Sequence, residues 1–144
     1  MLEVKQATTG DVLAALSFPR PSDKPEFGSQ DRRQDLLRVA AASDVLRSAW
    51  VGDVMLCVFG AYRLSLLSKI GVVWFVGTPA LDERPLTALR PARRELARIV
   101  AECGYDRVVA WVFRRNKISA RWLRWLGFRK SGDDKRYFQM EYVP

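Results

Sequence analysis

The chain contains no histidine and only two cysteines in 144 residues. With Cys57 and Cys103 far apart and no C-x-x-C spacing, none of the usual zinc ligand sets can be assembled, and the expected metal content is none. Cys57 lies in an apolar run and Cys103 on the apolar stripe of a helical pattern, so both read as small core residues. A reactive thiolate would need a basic, accessible setting. No apolar run reaches the about eighteen residues that a membrane span takes, and the start, MLEVKQATTGD, has no basic segment leading into an apolar one. A cytoplasmic protein without a membrane partner is the expectation.

What is present suits an ordinary core. Hydrophobic residues make up 49% and charged residues 28%, which predicts one domain over residues 1–144. At this size roughly two-thirds of the unfolded chain's surface can be buried, so neither a disulfide nor a structural metal is required. The 24 Lys and Arg outnumber the 16 Asp and Glu, and the net charge of +8 favours an acidic partner: nucleic acid, an anionic cofactor or an acidic protein surface.

Along the chain, Leu2 to Ala7 reads as a strand, and TTGD as a turn into a helix near Asp11 to Leu16, capped by Thr8 or Thr9. SFPRPSDKPEFGS, with three prolines and a glycine, reads as the clearest loop, either a substrate-side segment or a plain surface connection. Ser29 opens a second helix that buries Leu36, Leu37, Val39 and Ala40. DVLRSAWV and VMLCVFGAYRL, separated by Gly52 and Asp53, form a hairpin, and IGVVWFVG a central strand covered on both faces.

Leu89, Ala92, Leu96, Ile99, Val100 and Cys103 then fall at helical spacing, with Gly104 closing the helix. Pro91 belongs in a first turn, which puts the helix start near Thr87 or later. RVVAWVF is a buried strand, NKISARWLRWLGF a helix ending at Gly127, and RYFQMEYV a closing strand. The order is strand, two helices, three strands, helix, strand, helix, strand. It describes an α+β domain with a mixed sheet and helices on both faces.

The last of these helices interleaves Trp122 and Trp125 with Lys117, Arg121 and Arg124. Aromatics among basic residues can stack bases while neutralising phosphates. On a helix, however, Ile118, Trp122, Trp125 and Leu126 share a face opposite the cations, which assigns the tryptophans to the core.

The element order and the register of this helix resemble the GCN5-related N-acetyltransferases (GNATs). Asn116, Ser119, Gly127 and Phe128 match that family's asparagine, its small residue three positions on, and its glycine and phenylalanine at eleven and twelve. The order of elements matches over nearly the whole chain, the residues only in this helix. The resemblance implies a mostly antiparallel central sheet and transfer of an acetyl group from acetyl-CoA to an amine on a protein or small molecule. It further implies a cofactor arm against Phe75, Val76 and Gly77, with Asn116 and Ser119 on the far side.

Two positions depart from the family pattern. The position seven after Asn116, often a tyrosine that protonates the departing thiolate, is Leu123, and the glycine-rich phosphate loop is replaced by TPALDERPLTALRP, with Glu83, Pro85 and Thr87 at the glycine positions. A helix N-terminus near Thr87, with Arg84, Arg90, Arg93 or Arg94, would then take the phosphates. Asp82, Glu83 and Tyr62 are the candidate acid or base residues. Similarity to small acetyltransferase-like proteins of tailed phages implies a host protein as acceptor. The alternatives are an inactive member of this fold that binds a protein partner, and a basic nucleic-acid-binding module.

Overall fold

A computed structural model describes the backbone of residues 1–144 and the side chains of all but Leu86, Ala88 and Leu89. Strands β1 (Leu2–Gln6), β2 (Val45–Val51), β3 (Val54–Arg63), β4 (Ile70–Gly77), β5 (Arg107–Phe113), β6 (Arg129–Asp133) and β7 (Tyr137–Tyr142) form one sheet in the order β1-β2-β3-β4-β5-β7-β6. Every neighbouring pair is antiparallel except β4 with β5. The parallel pair is linked by a helical crossover, as a parallel connection requires. The expected mixed, mostly antiparallel α+β sheet is what the chain forms.

Helices α1 (Thr9–Ser17), α2 (Lys24–Phe27) and α3 (Gln30–Ala41) precede the hairpin. Helices α4 (Pro79–Glu83), α5 (Pro85–Cys103) and α6 (Lys117–Leu126) follow β4 and β5. Two apolar cores lie on opposite faces of the sheet. Val12, Leu16, Phe27 and Leu36 of α1–α3 pack with Val58 and Val76, while Leu96 and Ile99 of α5 and Ala120 of α6 pack with Ala61, Ala110 and Val112.

Local chemistry sets the helix ends. Thr8 accepts from the Asp11 N–H and Asp11 from the Thr8 N–H, a reciprocal cap, and Ser29 accepts from the Arg32 N–H. Gly104 and Gly127, at φ 69° and 108°, end α5 and α6 in the left-handed region. The Gly52 turn joins β2 to β3 as expected.

Four expectations are corrected. The proline-rich segment is not a plain surface loop: it holds α2, and Arg20 and Asp23 within it are 5% and 1% exposed. Helix α5 begins at Pro85, not at Thr87 or later, so Pro91 lies inside it. Pro91 therefore brings no N–H to the Thr87 carbonyl. On α6, Ser119 and Ala120 are the buried residues, whereas Ile118 and Trp125 are exposed and Trp122 is half-buried. Finally, RKSGD forms the extra strand β6 at the sheet edge, polar throughout and irregular between Lys130 and Gly132. The expected place of Leu89 on the apolar stripe of α5 lies outside the described side chains.

Candidate functional site

The site begins where β4 and β5 part. Their pairing runs from Ile70 with Arg107 to Val73 with Ala110 and stops there, while β4 continues to Gly77. The segment after α1 enters this gap. The Arg20 N–H donates to the Gly77 carbonyl at 2.7 Å, and the Gly77 N–H donates to Asp23 Oδ2 at 2.8 Å. Both backbone groups of Gly77 that face away from β3 are thus taken by the chain itself.

Asp23 is the hub of a buried network. Its carboxylate also accepts from Arg20 Nε at 2.8 Å, from Asn116 Nδ2 at 2.8 Å and from Ser119 Oγ at 3.4 Å. Arg20 Nη2 donates to Ser119 Oγ at 2.7 Å, and the guanidinium lies 5.4 Å from the centre of the Phe75 ring. Asn116 Oδ1 accepts from the Ser119 N–H and so caps α6 as well. Burying the Arg20–Asp23 pair is tolerable because almost every polar atom is matched; an unmatched charge there would cost several kcal/mol. Gly77 is a glycine for a steric reason, since a Cβ would meet Arg20 Cδ at 2.8 Å and Leu81 Cδ2 at 2.8 Å.

A cavity of about 260 Å³ spans the gap and draws its lining from both faces of the sheet. Phe75 and Trp122, with ring centres 4.7 Å apart, line it on the α5–α6 side. Glu26, Trp74, Trp111 and Tyr62 line it on the α1–α3 side, by the strand alternation that points Val58 and Val76 there. Among the described residues two buried polar atoms lack a partner, Trp122 Nε1 on the cavity wall and Ser22 Oγ beside Asp23. Burial, with a lesser contribution from the Asp23 charge, pushes the Glu26 carboxyl up to about 8 against the pull of Arg32. Burial also raises the Tyr62 hydroxyl, and it pushes the Cys57 thiol up to about 12, which makes that thiol inert.

The residues singled out from the sequence fall into two groups. Phe75, Val76, Gly77, Asn116 and Ser119 meet at the gap, and Tyr62 lines the cavity. Asp82 is exposed and does not line the cavity, with its carboxylate 3.7 Å from Arg20 Nη1, while Glu83 and Arg84 are exposed around the break between α4 and α5. Thr87 is half-buried in the first turns of α5. Arg90 and Arg94 are exposed, and Arg93 is tied to α6, donating to the Trp125 carbonyl at 2.7 Å with its guanidinium 4.1 Å from that ring. Sequence reasoning missed Arg20, Asp23, Glu26 and Trp122. The one available signal was an Arg and an Asp three positions apart, Arg20 and Asp23, inside a proline-rich stretch that reads locally as a turn.

No protein-family model and no curated protein matches the chain. Solved structures do. The GNAT domain of S. lividans PAT superposes with a TM-score of 0.77 at 16% identity, over 99% of this chain and 90% of that one. The chain has the GNAT fold. PaiA N-acetyltransferase from Thermoplasma acidophilum, solved in complex with coenzyme A, matches at TM-score 0.72 and 13% identity over 100% of this chain and 99% of that one. A spermidine N-acetyltransferase chimera of Vibrio cholerae SpeG and hSSAT matches at 0.72 and 10%, over 99% and 95%. Identities this low speak for a shared GNAT fold, and the split between β4 and β5 is where this fold has its opening in the present chain. No helix among the described residues is long and apolar enough to cross a membrane.

Proposed function

We propose that the protein is an acetyl-CoA-dependent N-acetyltransferase acting on an amine. The observation that carries this reading is the gap between β4 and β5 beyond Val73 and Ala110, which opens into a cavity bounded by Phe75, Asn116, Ser119 and Trp122. The donors there fit an acyl-thioester carrier. Trp122 Nε1 is a buried donor without an acceptor, and the Gly77 N–H and Asn116 Nδ2 each hold one carboxylate oxygen of Asp23, Oδ2 and Oδ1, where oxygens of a carrier's amides would serve as acceptors. When bound, acetyl-CoA supplies an acetyl group activated as a thioester.

The chain's residues would divide the work. Gly77 and Asn116 orient the arm once Asp23 yields these donors, Trp122 donates to the thioester oxygen, and the N-terminal turns of α5 with Arg84, Arg90 and Arg94 attract phosphates. An indole N–H would stabilise charge without giving up its proton, and Leu123 has none to give, so neither side chain would protonate a departing thiolate. Much of the acceleration then comes from holding amine and thioester together.

A second reading rests on one specific observation. Arg20 and Asp23 fill the groups that an arm would use, which suits a non-catalytic GNAT fold that binds a protein partner. Calorimetric titration with acetyl-CoA separates the two. Micromolar binding, weakened in Asn116→Ala, supports the enzyme; no heat and no thermal shift at millimolar acetyl-CoA supports the partner-binding reading. An affinity for nucleic acid that falls steeply with salt would instead favour the exposed cations of α6.

A further inference from the structure

We propose that the open face of the sheet at β5, β7 and β6 binds single-stranded nucleic acid, with an unpaired base stacked on Trp111. Such binding does not depend on the acetyltransferase reading.

The core under α1–α3 draws its strand residues from β2, β3 and β4. Beyond β4 the same face continues across β5, β7 and β6, where Arg32 of α3 lies with its guanidinium 5.7 Å and 5.4 Å from the centres of the Phe113 and Tyr137 rings. Trp111 forms part of the cavity wall, yet 46% of it is exposed. A residue in the middle of a sheet is this open only where no layer covers the face.

Register fixes what stands beside it. Trp111 lies opposite Gln139 and Phe113 opposite Tyr137, while Arg129 of β6 lies opposite Glu141, and opposite residues share a face. Phe113 and Tyr137 are stacked, with ring centres 5.2 Å apart and planes at 21°. From Glu141 to Tyr137 the strip covers about 14 Å.

Cations stand at both of its ends. At one is the exposed Arg129, where the Glu141 carboxylate is already held by Arg107 at 2.9 Å. At the other are Arg32 and the exposed Arg115 and Arg136, next in the chain to Phe113 and Tyr137. The acidic residues there are engaged: Asp133 is bound by Arg114 and Lys130, and Asp134 accepts from the Arg136 and Tyr137 N–H groups.

Positive charge at two ends with an open indole between them fits a short run of sugar–phosphate chain whose base lies on the ring. Every base has a π-face, so stacking on Trp111 tolerates any sequence, and the Arg32 guanidinium offers a second plane. A duplex is a poorer fit, because its bases are already stacked on one another. An acidic protein surface would satisfy the arginines but leave Trp111 without a planar partner. The net charge of +8 draws a polyanion in from a distance.

The test is fluorescence anisotropy of the full chain with labelled oligothymidylate of about twelve nucleotides, with the same strand annealed to its complement, and with polyglutamate as competitor. The single strand should bind about fivefold or more tightly than the duplex. Contacts to about three phosphates give a slope of about −2 in log affinity against log salt, so raising salt from about 50 to about 200 mM should weaken binding by about 15–20-fold. Trp111→Ala should lose about fivefold or more, and Trp111→Phe should keep most of the affinity. Arg129→Glu combined with Arg136→Glu should lose far more than Arg121→Glu combined with Arg124→Glu on α6, across the sheet; thermal melts check that each variant is folded. No binding at low salt, a duplex bound as tightly as the single strand, a Trp111→Ala protein that binds as the wild type does, or a greater loss from the α6 pair overturns the site. Displacement by polyglutamate as ready as by unlabelled strand overturns it in favour of an acidic protein partner. Strand binding without acetyl-CoA binding in calorimetry would refute the transferase reading alone.

Discussion

The two halves of β4 meet the rest of the molecule in different ways. Its first half, Ile70 to Val73, is paired on both sides, and Gly71 lies against the ring of Tyr105, a residue 4% exposed whose hydroxyl donates to Asp44 Oδ2 at 3.0 Å. Its second half loses β5, and Gly77 lies against the guanidinium arm of Arg20 instead. One glycine makes room for an aromatic ring in a closed core; the other makes room for a charge in a gap. The first half is built for cohesion, and the second keeps its backbone donors for a partner that a neighbouring segment now supplies.

The largest break in this contrast is Asp23→Ala. It strands the buried Arg20 guanidinium, the Gly77 N–H and Asn116 Nδ2, and should cost about 3–5 kcal/mol in a urea melt. Because Asp23 competes for the donors of the proposed arm, the folded fraction of this variant should bind acetyl-CoA more tightly than the wild type; weaker binding would argue that Asp23 helps to form the site.

Gly71→Ala comes next, forcing Tyr105 from its place for about 1–3 kcal/mol with acetyl-CoA affinity unchanged. Gly77→Ala should also cost about 1–3 kcal/mol, since the new Cβ presses on Leu81 and on the buried, hydrogen-bonded arm of Arg20, but unlike Gly71→Ala it should alter acetyl-CoA binding. An equal effect of the two glycine variants on binding would erase the contrast.

A last effect is in the pH dependence of stability. Glu26 holds its proton more tightly folded, near 8, than at its ordinary value of 4.5, so between these values the native state binds more protons than the unfolded one. Its contribution is full below about 4.5 and is lost as pH rises through 8. Thermal melts from pH 5 to 9 should show Tm falling for the wild type relative to Glu26→Gln, whose amide does not titrate. Parallel curves would place Glu26 in a more solvated setting.

Much of the fold was legible because its signals are local. Thr8, Ser29 and Asn116 cap helices, Gly52, Gly104 and Gly127 supply the turns and stops, and IGVVWFVG reads as a central strand from its apolar run alone. β6 escaped notice because an edge strand needs no apolar residues, and RKSGD has none. Trp125 was assigned to the core from helical spacing, yet it serves as an exposed platform for Arg93 across two helices, a contact that periodicity does not encode.

The site divides along the same line. Asn116 and Ser119 were readable because both lie in one helical register, and Phe75, Val76 and Gly77 because they end one strand. Their partner was not, since Arg20 and Asp23 sit in a stretch whose prolines and polar residues satisfy every local rule for a surface loop. The sequence by itself determined the helices, the strands and their ends, through capping, periodicity and glycine geometry acting over a few residues. Only the tertiary structure decided that Arg20 reaches Ser119, 99 positions away, and that Glu26 turns toward the cavity. Burying a charge depends on donors that distant elements bring, and no short stretch of sequence contains them.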